Sequence, residues 1–216
     1  MPESTIVIRK YSLKDREAVR KISVETAFSG EDRHNIVTDD EILADILTLY
    51  YTEKEPASCF VASSDGRTIG YLTGAKNKKY MQRTFNAKIV PELISKSITK
   101  GIIFERRTLN FLLHLLISFF KGAFSTPDFS RDYPATLHIN INKGFRHRGI
   151  GTQLMFSFLD FLKTNGINGV HLATASENAK VFFVKLGFTV LFEKRIDYLK
   201  YVTGRSMPYC VFGKKL

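Results

Sequence analysis

The chain has 216 residues, 44% apolar and 25% charged, and these ordinary proportions exclude a disordered or fibrous class. That length supports one full core, with room for an insertion. A net charge of +11 and a pI near 9.6 favour polyanionic partners: nucleic acid, anionic lipid or a phosphorylated coenzyme. The Lys and Arg residues are scattered, and no basic helix with interleaved aromatics appears, so nucleic acid is not expected. Cys59 and Cys210 lack metal-type spacing and sit in strand-like apolar runs; they read as reduced core thiols, and no metal is expected. The opening MPESTIVIRKY shows no secretory signal, which gives a cytoplasmic location as the expectation.

Thr5 to Arg9 alternates as a strand, and Ser12-Leu13-Lys14-Asp15 then offers a helix cap before Val19 and Ile22 at helical spacing. Thr38-Asp39-Asp40-Glu41 reads as a capping box ahead of a second helix through Ile42, Leu43, Ile46, Leu47 and Tyr50. Ser58 to Ser63 and Arg67 to Thr73 flank Asp65-Gly66, a pair suited to a tight hairpin.

Residues 76–133 break this rhythm. Tyr80 to Lys100 is basic and loosely amphipathic, with Pro91 starting or kinking a helix, and Glu105 to Phe124 carries FLLHLLISFF. The apolar run from Leu109 to Phe120 is shorter than the 20 or so residues a membrane span needs. Three readings remain for it: a helix buried on the domain, a homodimer face, or a helix lying in a membrane surface. The expectation is a lid or dimer contact over the acceptor side, because the run returns through Asp132-Tyr133-Pro134 directly into the next strand.

Thr136 to Phe158 is the most informative stretch. An alternating strand, Leu137 to Ile141, enters a basic turn, Arg146-His147-Arg148-Gly149-Ile150-Gly151, and then a helix from Gly149 to Asn165. Glycines let backbone approach a ligand, and the first N–H groups of a helix lack intrahelical partners and carry the positive end of its dipole. This order builds an anion cradle fit for a pyrophosphate, against the plainer reading in which the glycines only start a helix. A dinucleotide-binding turn would need G-x-G-x-x-G with a later acid, and neither is present. A strand from Val170 to Thr174, a helix from about Ser176, and a final strand pair, Phe188 to Arg195 and Met207 to Phe212, complete the chain.

The turn resembles the Q/R-x-x-G-x-G/A motif of the GNAT superfamily of acyl-CoA N-acyltransferases. SENAKVFFVKLGF, Ser176 to Phe188, is similar to the superfamily's N-x-x-A-x-x-F-Y-x-K-x-G-F helix, matching at Ala179, Phe182, Lys185, Gly187 and Phe188. Ser176 stands where the family usually has Asn, with Asn178 close by, and Phe183 stands where it usually has the Tyr proposed to protonate the departing thiolate. The plain alternative for Phe182 and Phe183 is core packing. Asp132 to Ile141 is also similar to a strand in the acetyltransferase-like domain attached to eukaryotic O-GlcNAcases, and acetyl transfer by such domains is doubtful.

The resemblance implies an α/β fold in which a mixed, mostly antiparallel central sheet is flanked by helices, as one domain over 1–216 with a helical insertion at 76–133 before the fourth strand. It further implies an N-acetyltransferase that moves an acetyl or other acyl group from acetyl-CoA to a primary amine; the alternative is a catalytically silent acyl-CoA-binding module. The implied coenzyme contacts are the backbone of Ile139 and Ile141, the turn Arg146, His147, Arg148, Gly149, Ile150, Gly151 and Thr152, and Ser176, Asn178 and Phe183.

His138 and Asn140 share the strand face opposite Leu137, Ile139 and Ile141, and of the two only His138 titrates near neutrality, making it the candidate base. A strand histidine held by hydrogen bonds or solvent is the competing reading. Tyr133, Tyr198, Tyr201 and Tyr209 are candidate acids in place of Phe183. None is strictly required, since a thiol of pKa about 8.5 leaving as thiolate at pH 7 costs about 2 kcal/mol relative to the thiol.

Overall fold

The computed structural model describes residues 5–27, 39–197, 200 and 204–216. Among these residues seven strands form one sheet in the order β1-β2-β3-β4-β5-β7-β6: β1 Ile6–Lys10, β2 Phe60–Ser64, β3 Arg67–Ala75, β4 Ala135–Ile141, β5 Gly169–Thr174, β6 Thr189–Ile196 and β7 Met207–Lys215. Every neighbouring pair is antiparallel except β4 and β5. The helices are α1 Arg16–Thr26, α2 Asp40–Lys54, α3 Lys78–Thr84, α4 Val90–Thr99, α5 Arg106–Phe120, α6 Ile150–Thr164 and α7 Glu177–Lys185. A π turn, Phe85–Ile89, joins α3 to α4 in one continuous helical run, and Pro91, which has no N–H to donate, lies just after it in the first turn of α4.

Side-chain alternation assigns each sheet face its helices. On one face Phe60, Leu72, Leu137, Val170, Leu172 and Phe212 pack beneath α6 and α7 around Leu154, Phe158 and Leu162. On the other, Val61 and Tyr71 meet α1, α2 and α4 through Val19, Ile22, Tyr50 and Leu93. Cys59 and Cys210 are buried, unpaired thiols, one in each core, and burial pushes the Cys59 thiol up to about 12.

The caps follow the sequence with one correction. Asp39 caps α2 by accepting from the Ile42 N–H at 2.9 Å, whereas Thr38 lies outside the described residues. Asp65 and Gly66 both have positive φ, as the tight β2–β3 hairpin requires. Asp15, ahead of α1, is buried, which would raise its pKa. Hydrogen bonds from Arg9, Thr68 and Ser12 outweigh that and hold the carboxyl well below the usual range.

The segment between β3 and β4 is tied to the rest at its ends. Lys96 and Lys100 of α4 bind Asp45, Asp39 and Glu41 of α2 and its cap, and beyond α5 the carbonyls of Ala123 and Ser125 accept from Lys194. The helix α5 itself is not a buried core helix. Only Ser118 is buried, and most of its large apolar side chains are exposed.

Candidate active site

β4 and β5 pair only at Ala135–Val170 and Thr136–His171, although β4 stays on β3 as far as Ile141 and β5 stays on β7 as far as Thr174. The sheet therefore forks. The Asn142 N–H donates to the Ile69 carbonyl across the β3–β4 ladder. Antiparallel alternation then turns the backbone groups of Thr136, His138 and Asn140 toward β3, and those of Leu137, Ile139 and Ile141 into the fork. The Ile141 carbonyl accepts from Arg146 Nε at 3.1 Å, so this edge is already partly engaged by the turn that follows.

Both chains leaving the fork run into helix N-termini. After β4, the exposed Arg146, His147, Arg148 and Gly149 lead into α6, with His147 at φ 63° and Gly149 at φ 75°. Arg148 lies over the Phe145 ring at 5.4 Å. A side chain at position 149 would meet nothing within 4 Å, whereas one at 151 would meet Phe182 at 3.2 Å and Ile141 at 3.3 Å. Gly149 thus serves backbone conformation and open approach, and Gly151 close packing of α6 on β4 and α7. Ile150 is buried under the sheet and Thr152 is half-buried. After β5, Ser176 caps α7 by accepting from the Ala179 N–H at 3.4 Å, with exposed Asn178 on the first turn.

Residues 128–198 match the family model described as an acetyltransferase (GNAT) domain. That stretch, from just before β4 to the end of β6, is similar to GNAT acetyltransferase domains. Solved structures are similar over nearly its whole length. SsHAT is 27% identical with a TM-score of 0.71, covering 98% of each chain. The polyamine N-acetyltransferase of Drosophila melanogaster is 18% identical with a TM-score of 0.57, covering 98% of this chain and 100% of that one. The putative acetyltransferase yncA of Salmonella typhimurium, solved with its cofactor acetyl-CoA, is 14% identical with a TM-score of 0.59, covering 99% and 95%. The cationic turn, the open approach at Gly149 and the inward-turned β4 edge suit the anionic head and amide-bearing arm of a molecule such as the acetyl-CoA solved with yncA.

On the face of the GNAT sheet that meets α1 and α2, Thr73 stands opposite His138 and Tyr71 opposite Asn140. The Asn140 amide donates to the Tyr71 hydroxyl at 2.8 Å, spending Asn140 on structure. His138 opens to solvent, yet the surrounding cleft walls desolvate the imidazole and lower its pKa below the ordinary histidine value. Thr73, missed by sequence reading, is 1% exposed and its Oγ1 has no hydrogen-bond partner among the described residues. Only strand register reveals that pairing. At the open end a recess of about 280 Å³ is lined by Glu25 and Thr26 of α1 with Asn142 and Lys143 beyond β4.

Two expected contacts are corrected. Phe183 is 3% exposed and packs on Phe182, Phe188 and Phe212, so its ring belongs to the core rather than the coenzyme cleft. Tyr133 sits at the closed end of the fork, its ring against Gly169 and Gly213 and beneath Lys215 at 4.8 Å. Its carbonyl accepts from Nδ1 of buried His171, whose Nε2 accepts from Lys78 Nζ at 2.9 Å. Tyr133 and His138 are five steps apart along extended chain at about 3.3 Å each, so the structure does not bring this phenol to the candidate base. Tyr198 and Tyr201 lie outside the described residues. Tyr209 of β7 pairs with Lys194 and stands on the same sheet face as His138.

Proposed function

We propose that the chain transfers the acetyl group of acetyl-CoA to a primary amine, with His138 as general base. The observation that supports this reading is the fork, which leaves the β4 edge unpaired beyond Thr136 and ends beside the cationic N-terminus of α6. Bound acetyl-CoA supplies the thioester acyl group. Arg146, Arg148 and the first amides of α6 hold its pyrophosphate, the backbone of Ile139 receives the arm, and an inward N–H of β4 polarises the carbonyl. His138 takes the proton released by the attacking amine.

The amine enters from the α1 end, where Glu25 offers a carboxylate to a cationic acceptor. Tyr209, on the same sheet face as His138, is the candidate to protonate the leaving sulfur. A free-thiol assay over a panel of primary amines, with mass spectrometry of the products, tests the proposal. Acetylated amine supports it, and acetyl-CoA binding without thiol release on any amine overturns it in favour of a silent acyl-CoA-binding module.

A further inference from the structure

We propose that the outward face of α5 is a docking surface for an anionic phospholipid membrane. The helix is amphipathic, with Arg107, Asn110, His114 and Ser118 along one side and apolar side chains over the rest, a face that in a globular protein is normally buried. Its inner side, with Ser118 and the half-buried Phe111 and Leu115, rests on the domain. Its outer side presents Leu109, Leu112, Leu113, Leu116, Phe119 and Phe120, each between 40% and 80% exposed. At 3.6 residues per turn these form one broad stripe, and exposed Phe104 and Ile98 extend it toward α4.

Charge selects the occupant. Residues 76–133 hold eleven Lys and Arg against four Asp and Glu, so this quarter of the chain supplies +7 of the net +11. From Arg106 to Pro127 there is no acidic residue, and cations mark both ends of the stripe: Arg106 and Arg107 at the start, Lys121 at the end. A second copy would set these cations against one another, with Glu105 alone to offset three of them; a phosphate surface complements all three.

A recess of about 460 Å³ lined by Arg106, Arg107, Leu109, Asn110 and Leu113 puts guanidinium groups beside apolar surface, the pairing a lipid headgroup and its first methylenes require. At about 1.5 Å per residue, the 15 residues of α5 fall short of the roughly 30 Å hydrocarbon layer, so the helix lies in the surface plane.

Flotation of the full-length protein tests this, using phosphatidylcholine vesicles with and without phosphatidylserine at low and high salt, with light scattering in parallel. The monomer is expected to float with the phosphatidylserine vesicles and to be released by salt, as screening shortens from about 10 Å at 0.1 M to 3 Å at 1 M. Combined Leu113→Glu and Leu116→Glu, both at exposed positions, should lower the bound fraction at least about tenfold. Arg106→Glu with Lys121→Glu should abolish the preference for phosphatidylserine. Circular dichroism and acetyl-CoA affinity should stay unchanged in both variants. Absence of binding to anionic vesicles overturns the proposal, as does equal binding by the leucine variant. A solution dimer that the leucine variant dissociates, without vesicle binding, assigns the face to a second copy instead.

Discussion

Thr73 and His138 face each other across the β3–β4 ladder, and the buried Thr73 hydroxyl has no hydrogen-bond partner among the described residues. An unsatisfied buried hydroxyl costs stability, so replacing it with a methyl of the same shape is neutral or stabilising. Thr73→Val is expected to leave the unfolding midpoint unchanged or raise stability by up to about 1 kcal/mol. If this hydroxyl receives the acceptor's hydrogen bond, kcat/KM for the amine falls while acetyl-CoA affinity holds. Destabilisation above about 1 kcal/mol would show that the hydroxyl has a partner in solution.

The lowered pKa of His138 fixes the sign of a pH profile. Desolvation disfavours the imidazolium, so the imidazole is neutral at pH 7, and an activity that needs it as the proposed base should be lost only as pH falls through its depressed value, below the ordinary 6.5. His138→Ala should reduce kcat by roughly 10²–10⁴-fold, a typical contribution of a positioned base, and remove the acid limb of the profile. A limb retained in the variant would assign it to another group.

For the pyrophosphate turn, Gly149→Glu should cut acetyl-CoA affinity by at least about tenfold, through a carboxylate set at a helix N-terminus beside Arg146 and Arg148. Asn tolerates positive φ, so Gly149→Asn separates charge from backbone strain. Calorimetry on both variants reads the difference. Equal losses in the two would mean that conformation, and not anion binding, dominates at this position.

His171 makes the closed end of the fork sensitive to acid. Burial first, then Lys78, lowers its pKa to about 4 from 6.5. Between those values the unfolded chain binds the extra proton, so stability is full above pH 6.5 and falls as pH drops toward 4, by roughly 3 kcal/mol in all. Denaturant midpoints across that window should fall in the wild type and stay flatter in His171→Gln, whose amide can both donate to Tyr133 and accept from Lys78. Parallel curves would exclude His171 as the source.

Much of this arrangement was legible in local pattern. The alternation of Leu137 to Ile141 set the strand faces, Asp65-Gly66 set a hairpin, and the glycines of the basic turn set the start of α6, because each depends on neighbours in sequence. What sequence reading missed depends on distant partners. Phe183 was aligned with a cleft tyrosine, yet α7 rotates it onto Phe188 and Phe212. Tyr133 precedes the right strand but is drawn down against Gly169 and Gly213. Thr73 carries no motif and gains interest only through its register with His138. The apolarity of α5 suggested burial, and only the packed domain shows which side remains outward.

The fork between β4 and β5 has a thermodynamic consequence. A sheet interrupted internally exposes main-chain donors and acceptors that a guest of strand-like chemistry can satisfy as a set, so a donor bound there as proposed would complete the fold as well as feed the reaction. Any ligand bound only by the native state stabilises it by RT ln(1 + [L]/Kd), about 2.7 kcal/mol at a hundredfold excess over Kd. Resistance to heat and proteolysis should therefore rise and fall with acetyl-CoA concentration, making the persistence of the protein itself a readout of acyl-donor supply.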